Sequence, residues 1–453
     1  MSGTRHYRLP AWYELLGFAA VVAGFINLAV TFHRIGYLPA PFVFDVSDTF
    51  MDWYNTAYWA HNAGAYSVWR TIYLPLSLVI TGHLSDPRCY AFLMQDVRAC
   101  DPFGIVVILS MYLGSCVVSA IAFWKRDRAT APYRTIAIAL GAPLLFGLER
   151  GQLIMLAYIG FVLVYGNLVK SRGMVAIVSG FLVNMKVYLL FPVFAFAIQR
   201  RWRLFELCGI AALGIYLGSY FIVGAGSPFE LISNLQNWFS VRLGTPWDEL
   251  LFSTTYKPFL SFDALQFPIR DFAESRWVDI LNVVIRDELF VSRTVAISCV
   301  VGAWLYPRAV TLNRTVLFIL MQSFVVQNPG GYAITLIVFL VFMDEKRNFA
   351  NACCVLSAYL ISISTDYNIA EIFRYSRLSW LSGKEVESIY AVPLGSFVRP
   401  LFFLIILWTF AFDTLKDLYR AAKLGRPTHG LTLPEVASAS PISKAPSISG
   451  YHG

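Results

Sequence analysis

The chain has 453 residues, of which 57% are hydrophobic and only 14% charged, with 36 Lys and Arg against 28 Asp and Glu. Soluble domains carry about a quarter charged residues and under half apolar ones, so this composition excludes a soluble fold and indicates a multi-spanning membrane protein. The positive charge is scattered as short clusters between apolar runs, which excludes a nucleic-acid-binding stripe and points to membrane topology.

The first apolar run, 12–32, is long for a signal-peptide core and is followed by His33, Arg34, Ile35 and Gly36 in place of a small-residue cleavage site. It reads as an uncleaved first helix. Residues 33–103 then form a loop rich in acidic and aromatic residues, including Asp45, Ser47, Asp48, Asp52, Trp53 and Tyr54. A helix over 49–63 would place Asp48 and Asp52 on one face, a repulsion of a few tenths of a kcal/mol unless a cation or substrate offsets it. Asp48 reads better as an N-cap, and Asp52 as a catalytic carboxylate. Cys89 and Cys100 in this loop are either a disulfide or two unpaired thiols. The other five cysteines, Cys116, Cys208, Cys299, Cys353 and Cys354, lie in apolar runs, where they act as small hydrophobes.

From 104 onward, apolar runs without two-residue alternation indicate helices rather than a barrel. They are separated by Lys125, Arg126, Arg128 and Arg134; Lys170 and Arg172; Arg200, Arg201 and Arg203; Arg308 and Arg314; and Lys346 and Arg347. Placing Arg5 and Arg8 in the cytoplasm sends all these clusters, and Lys416, Arg420, Lys423 and Arg426, inside. Both termini are then cytoplasmic, and loops 33–103, 227–293 and 365–400 lie outside.

Between Arg172 and Arg200, both inside, the apolar stretch is long enough for one crossing only. The chain must therefore go out and return as two half-length helices, 174–183 and 187–198, with Asn184, Met185 and Lys186 at the outer apex. Short pieces are also expected at 135–148, 316–326 and 332–343, their outer ends carrying Glu149-Arg150-Gly151-Gln152 and Gln327-Asn328-Pro329-Gly330-Gly331. Helices too short to span, ending in polar residues, imply a vestibule sunk into the outer leaflet, because exposed backbone at that depth requires protein or water beside it. Arg150 and Lys186 become functional candidates because an ionisable group at membrane depth is costly. Two cations facing a carboxylate loop fit an anionic, lipid-linked substrate. The Pro-, Ser-, Ala- and Gly-rich tail 425–453 reads as a disordered cytoplasmic segment, leaving 1–424 as one transmembrane domain.

Taken in order, Asp52-Trp53-Tyr54, Tyr73-Leu74-Pro75, Glu149-Arg150-Gly151-Gln152, Gly180-Phe181-Leu182-Val183-Asn184-Met185-Lys186, Pro192 and Gln199-Arg200-Arg201-Trp202 resemble glycosyltransferase family 87. That family belongs to the GT-C superfamily of multi-spanning enzymes that take sugars from polyprenyl phosphate. The resemblance covers the first half of the chain and departs from the family's Tyr-Pro-Pro triplet at Tyr73-Leu74-Pro75. It implies an all-α, GT-C-like polytopic fold of about a dozen membrane segments, in the plasma membrane, with its active site facing outside. Asp52 is expected as general base, and Asp48 to orient acceptor or base, or to bind a divalent metal if one is used; no other cofactor is expected. Arg150, Gln152, Lys186 and Tyr73 would surround the donor phosphate, while Trp53, Tyr54, Trp238 and Trp247 are candidates to stack on sugar or lipid. The expected partners are a polyprenyl phosphate sugar, mannose being the sugar of the best-known relatives, a glycan or glycolipid acceptor, and membrane lipids. A polysaccharide polymerase, and a transporter or flippase of lipid-linked saccharides, are the competing classes.

Overall fold

A computed structural model describes residues 11–42, 45–91, 97–224, 227–240, 253–264, 274–326, 330–344 and 348–424. The tail 425–453, Trp247 and the side chain of Trp238 lie outside the described residues. The chain opens with α1 (Trp12–Ile35), ended by Gly36 at φ 77°, whose N–H donates to the Phe32 carbonyl. Next come α2 (Met51–His61), α3 (Pro75–His83), the single turn α4 (Val97–Cys100) and α5 (Pro102–Arg126). Helices α6 (Ala131–Ala139), α7 (Ala142–Arg150), α8 (Ile154–Tyr165), α9 (Arg172–Met185), α10 (Leu190–Ile198), α11 (Trp202–Val223) and α12 (Pro228–Ser240) follow. The last part holds α13 (Ser275–Leu305), α14 (Leu312–Val326), α15 (Ile334–Phe342), α16 (Phe349–Ile361), a hairpin of β1 (Asn368–Leu378) and β2 (Glu385–Pro393), and α17 (Gly395–Lys423).

Among the described residues, six helices are long and apolar enough to cross a membrane: α1, α5, the stretch Ala131–Arg150, α11, α13 and α17. Six shorter apolar helices accompany them. The outermost is α11, whose apolar window is only 11% buried and which exposes Ile210, Leu213 and Phe221. At the centre stands α15, apolar on every side and buried at every residue, as expected of a helix surrounded by other helices.

The stretch 135–148 differs from its expected short form. It belongs to a 20-residue span, Ala131–Arg150, broken at Leu140 and Gly141. There the Ala142 N–H, left free by the break, donates to the Ser362 carbonyl at 3.0 Å. The other short pieces keep their expected form. Gly160 on α8 sits against Leu182 and Val178 of α9, and near the end of α10 Phe196 stacks on Tyr165, which closes α8, with ring centroids 6.2 Å apart. Helix α10 therefore returns to the end from which α9 starts, leaving Lys186 at the apex. Helix α14 runs against α10, with Tyr188 on Phe324 at one end and Gln199 on Thr315 at the other; α15 then leads back toward Arg134, whose guanidinium meets the Phe342 carbonyl.

Two buried ionic knots tie the helices together at the basic end. Arg134 of α6 pairs with Glu14 of α1, which also accepts from the Tyr359 hydroxyl of α16 at 2.7 Å. Arg314 of α14 pairs with Asp344 at 2.8 Å and with Asp413 of α17 at 2.7 Å.

The expected external loops contain structure, and the fold is not wholly α-helical. Within 365–400, β1 and β2 pair antiparallel, Phe373 opposite Tyr390 and Tyr375 opposite Ser388. The strands are rich in Ile, Val, Phe and Tyr, residue types that favour a pleated ribbon. Within 227–293, α13 begins at Ser275, well ahead of the expected loop end. Cys89 and Cys100 form a disulfide, whereas Cys116, Cys208, Cys299, Cys353 and Cys354 are free.

Candidate functional site

The loop before α2 folds differently from its expected helical form, and that difference sets the position of its carboxylates. The helix begins at Met51, after Phe50 in a left-handed conformation with φ 67°, and no side chain caps it. Asp48 is therefore not an N-cap, and it does not share a helix face with Asp52. A bulky residue is held at positive φ only where its surroundings over-determine it. Here the Phe50 N–H donates to the Glu149 carbonyl at 2.7 Å, the Arg98 guanidinium donates to the Thr49 carbonyl at 2.7 Å, and Phe50 meets Trp380 edge to face at 5.3 Å.

The opposing surface is the end of α7. Gly151, at φ 64°, ends that helix, and a Cβ added there would lie 2.8 Å from the Phe50 carbonyl oxygen. Two left-handed residues thus close on each other backbone to backbone, so glycine is required on the α7 side. This contact sets Arg150 against the loop. Its Nη1 donates to Asp48 at 2.5 Å and its Nη2 to Asp52 at 3.1 Å. The other Asp52 oxygen accepts from Gln152 Nε2 at 2.6 Å, and the same nitrogen lies 3.0 Å from the Tyr73 hydroxyl.

Asp48, Asp52, Arg150, Gln152 and Tyr73 are therefore one hydrogen-bonded group, drawn from three stretches far apart in sequence. Burial pushes the Asp48 carboxyl above its ordinary value, with Arg150 opposing. Burial and the Asp52 charge hold the Tyr73 phenol well above its ordinary value, so it stays protonated. Arg150 bridges the two carboxylates at the place where a divalent ion would bind them, and among the described residues no three His, Cys, Asp or Glu side chains cluster as metal ligands.

Lys186 joins this group from the α9 apex. Its ammonium stands over the Tyr73 ring at 4.4 Å and the Tyr332 ring at 5.7 Å; no carboxylate among the described residues pairs with it. Cation–π contact holds a desolvated ammonium without neutralising it. The Tyr188 hydroxyl and Gln152 Oε1 are buried and without a protein partner among the described residues.

Arg150 and Lys186, grouped together in the sequence reading, thus differ: the guanidinium is taken up by carboxylates, and the ammonium has no carboxylate partner among the described residues. Trp53 and Tyr54 are 0% and 1% exposed, with the Tyr54 hydroxyl donating to the Asp101 carbonyl at 2.8 Å. Both pack inside the protein and are closed to stacking on a ligand.

Sequence reasoning missed Tyr188, Tyr332, Arg98 and Trp380. Tyr188 and Tyr332 each begin a returning half-helix at an apex the sequence had marked, so that position was the available signal. Arg98 and Trp380 carried none. Compared with protein-family models, with curated proteins and with solved structures, the chain matches none.

Proposed function

We propose that this protein is an integral membrane glycosyltransferase that moves a sugar from a polyprenyl phosphate to a hydroxyl of a lipid-linked or external glycan at the outer face of the membrane. The observation that carries this reading is the convergence of helix ends from separate parts of the chain, bearing Arg150 and Gln152, Lys186 and Tyr332, on the carboxylate loop of Asp48 and Asp52. Asp52 takes the acceptor hydroxyl's proton: each carboxylate oxygen has a second lone pair beyond the bonds from Arg150 and Gln152. Arg150 holds Asp48 and Asp52 in place. Lys186, with no carboxylate partner among the described residues, receives the charge that collects on the departing lipid phosphate, where scarce water strengthens the attraction. One ammonium matches the single charge of a sugar phosphodiester, which favours a polyprenyl monophosphate sugar over the diphosphate donor of a polymerase.

The six long and six shorter apolar helices among the described residues and the ordered motifs resembling family 87 support a GT-C-like arrangement, and the basic clusters support cytoplasmic termini. The Cys89–Cys100 disulfide supports an oxidising compartment for the loop that carries Asp52.

The test is transfer by purified protein in nanodiscs supplied with a panel of polyprenyl monophosphate and diphosphate sugars. Asp52→Asn should cut turnover at least about 100-fold while sparing donor binding. Lys186→Met should weaken donor binding and slow transfer together, with Lys186→Arg recovering part of both. Near-normal turnover of Asp52→Asn would remove it as the base.

A further inference from the structure

Beside the carboxylate loop lies a small cleft lined by Tyr37, Asp45, Thr49, Glu149, Ser379 and Leu381. The neighbours Glu149 and Arg150 make different contacts. Arg150 reaches Asp48 and Asp52, whereas Glu149, 8% exposed, accepts from the Thr49 hydroxyl at 3.2 Å and leaves its Oε2 without a partner. A buried carboxyl oxygen with a free lone pair is costly, and Glu149 lines the cleft. We infer that the cleft is the closed form of an acceptor subsite, in which Glu149 receives a hydroxyl of the acceptor glycan. The inference rests on the glycosyl-transfer reading and adds to it where the second substrate binds.

The cleft's chemistry selects this ligand. The cleft lining contains no Lys or Arg, so a lipid phosphate finds its cation at Lys186 and not here. The polar groups suit a sugar's hydroxyls: the Glu149 Oε2 accepts, and the Tyr37 hydroxyl, which already accepts from the Ile389 N–H at 3.2 Å, keeps its own proton to donate. Val46, Leu38 and Leu381 supply the apolar surface that a sugar's C–H face packs against. The cleft has room for about 10 Å³, the space of roughly one water. A sugar therefore enters by lifting the hairpin tip, 379–384, which is attached through the Trp380 N–H to the Val46 carbonyl at 3.2 Å, the Ser379 hydroxyl to the Gly36 carbonyl at 2.8 Å, and Arg377 to Asp45 at 2.8 Å. Gly383 in this tip has φ 65° and open space around it.

The experiment measures acceptor and donor KM separately in nanodiscs, using methyl and p-nitrophenyl hexosides as acceptor probes with a donor that the wild type uses. Glu149→Gln keeps the contact with Thr49 and should raise acceptor KM about fivefold or more, with donor KM unchanged. Leu381→Trp fills the cleft from an exposed position and should raise acceptor KM about tenfold without lowering thermal stability. Unchanged acceptor KM in Leu381→Trp, or a rise in donor KM in Glu149→Gln, overturns the subsite while leaving the transferase reading standing. A wild type that transfers from none of the donors overturns that reading, and the acceptor subsite with it.

Discussion

Gly151 and Phe50 show how much of the site depends on one backbone contact. A methyl at Gly151 would meet the Phe50 carbonyl oxygen at 2.8 Å in a residue already at φ 64°, and a side chain in the left-handed region costs about 1–2 kcal/mol before any clash. Gly151→Ala should lower thermal stability modestly and abolish most transfer, because the turn that aims Arg150 and Gln152 at Asp52 can no longer close. Wild-type activity in Gly151→Ala would show that this contact does not position the site.

Asp48 offers a pH test with a definite sign. Its carboxyl is raised above 3.8 by burial, so the folded state binds its proton more tightly than the unfolded chain does. Below 3.8 both states are protonated and the residue is neutral to stability; as pH climbs past that value, ionisation increasingly disfavours the fold. Asp48→Asn removes this dependence. Its melting temperature relative to wild type should therefore rise between about pH 4 and pH 7, measured by thermal scans in detergent, and a falling difference would contradict the burial argument.

At the level of elements, the knot of Glu14, Arg134 and Tyr359 joins α1, α6 and α16. The Glu14 side chain is 1% exposed and that of Arg134 10%, so removing one partner leaves a buried charge uncompensated, at about 3 kcal/mol or more. Glu14→Leu should therefore destabilise strongly, and Glu14→Leu with Arg134→Leu less than Glu14→Leu alone. Melting of the single and double variants in detergent checks this. The helix interruptions follow a similar economy of contacts: Gly141 admits Ser362 beside it, and the freed amide of Ala142 finds that residue's carbonyl. The β-hairpin is the element whose placement matters most to the site, since it holds the carboxylate loop through Arg377 and Trp380 and the end of α1 through Ser379.

For the molecule as a whole, the basic clusters and the disulfide lead to one topological prediction. Single cysteines introduced at exposed Val68 and Leu378 should react with membrane-impermeant maleimide from outside intact cells, and one at Lys423 only after permeabilisation. Labelling of position 423 in intact cells would reverse the orientation and the side on which the site opens.

The sequence alone determined the membrane class, the apices at Lys186 and ahead of Tyr332, and the polar residues beside them, but not the break at Leu140 and Gly141. Hydropathy and charge are local quantities, and the length available between two basic turns is a matter of counting. It also marked Asp48, Asp52, Tyr73, Arg150, Gln152 and Lys186. Only the tertiary structure decided how they divide. The pairing of Arg150 with Asp48 and Asp52, the seating of Lys186 over Tyr73 and Tyr332, and the contact of Glu149 with Thr49 all depend on where separate helix ends meet. The left-handed Phe50 and the docking of Trp380 were likewise invisible, because the contacts that impose them come from residues about 50 to more than 300 positions away, and no local pattern encodes a partner at that distance.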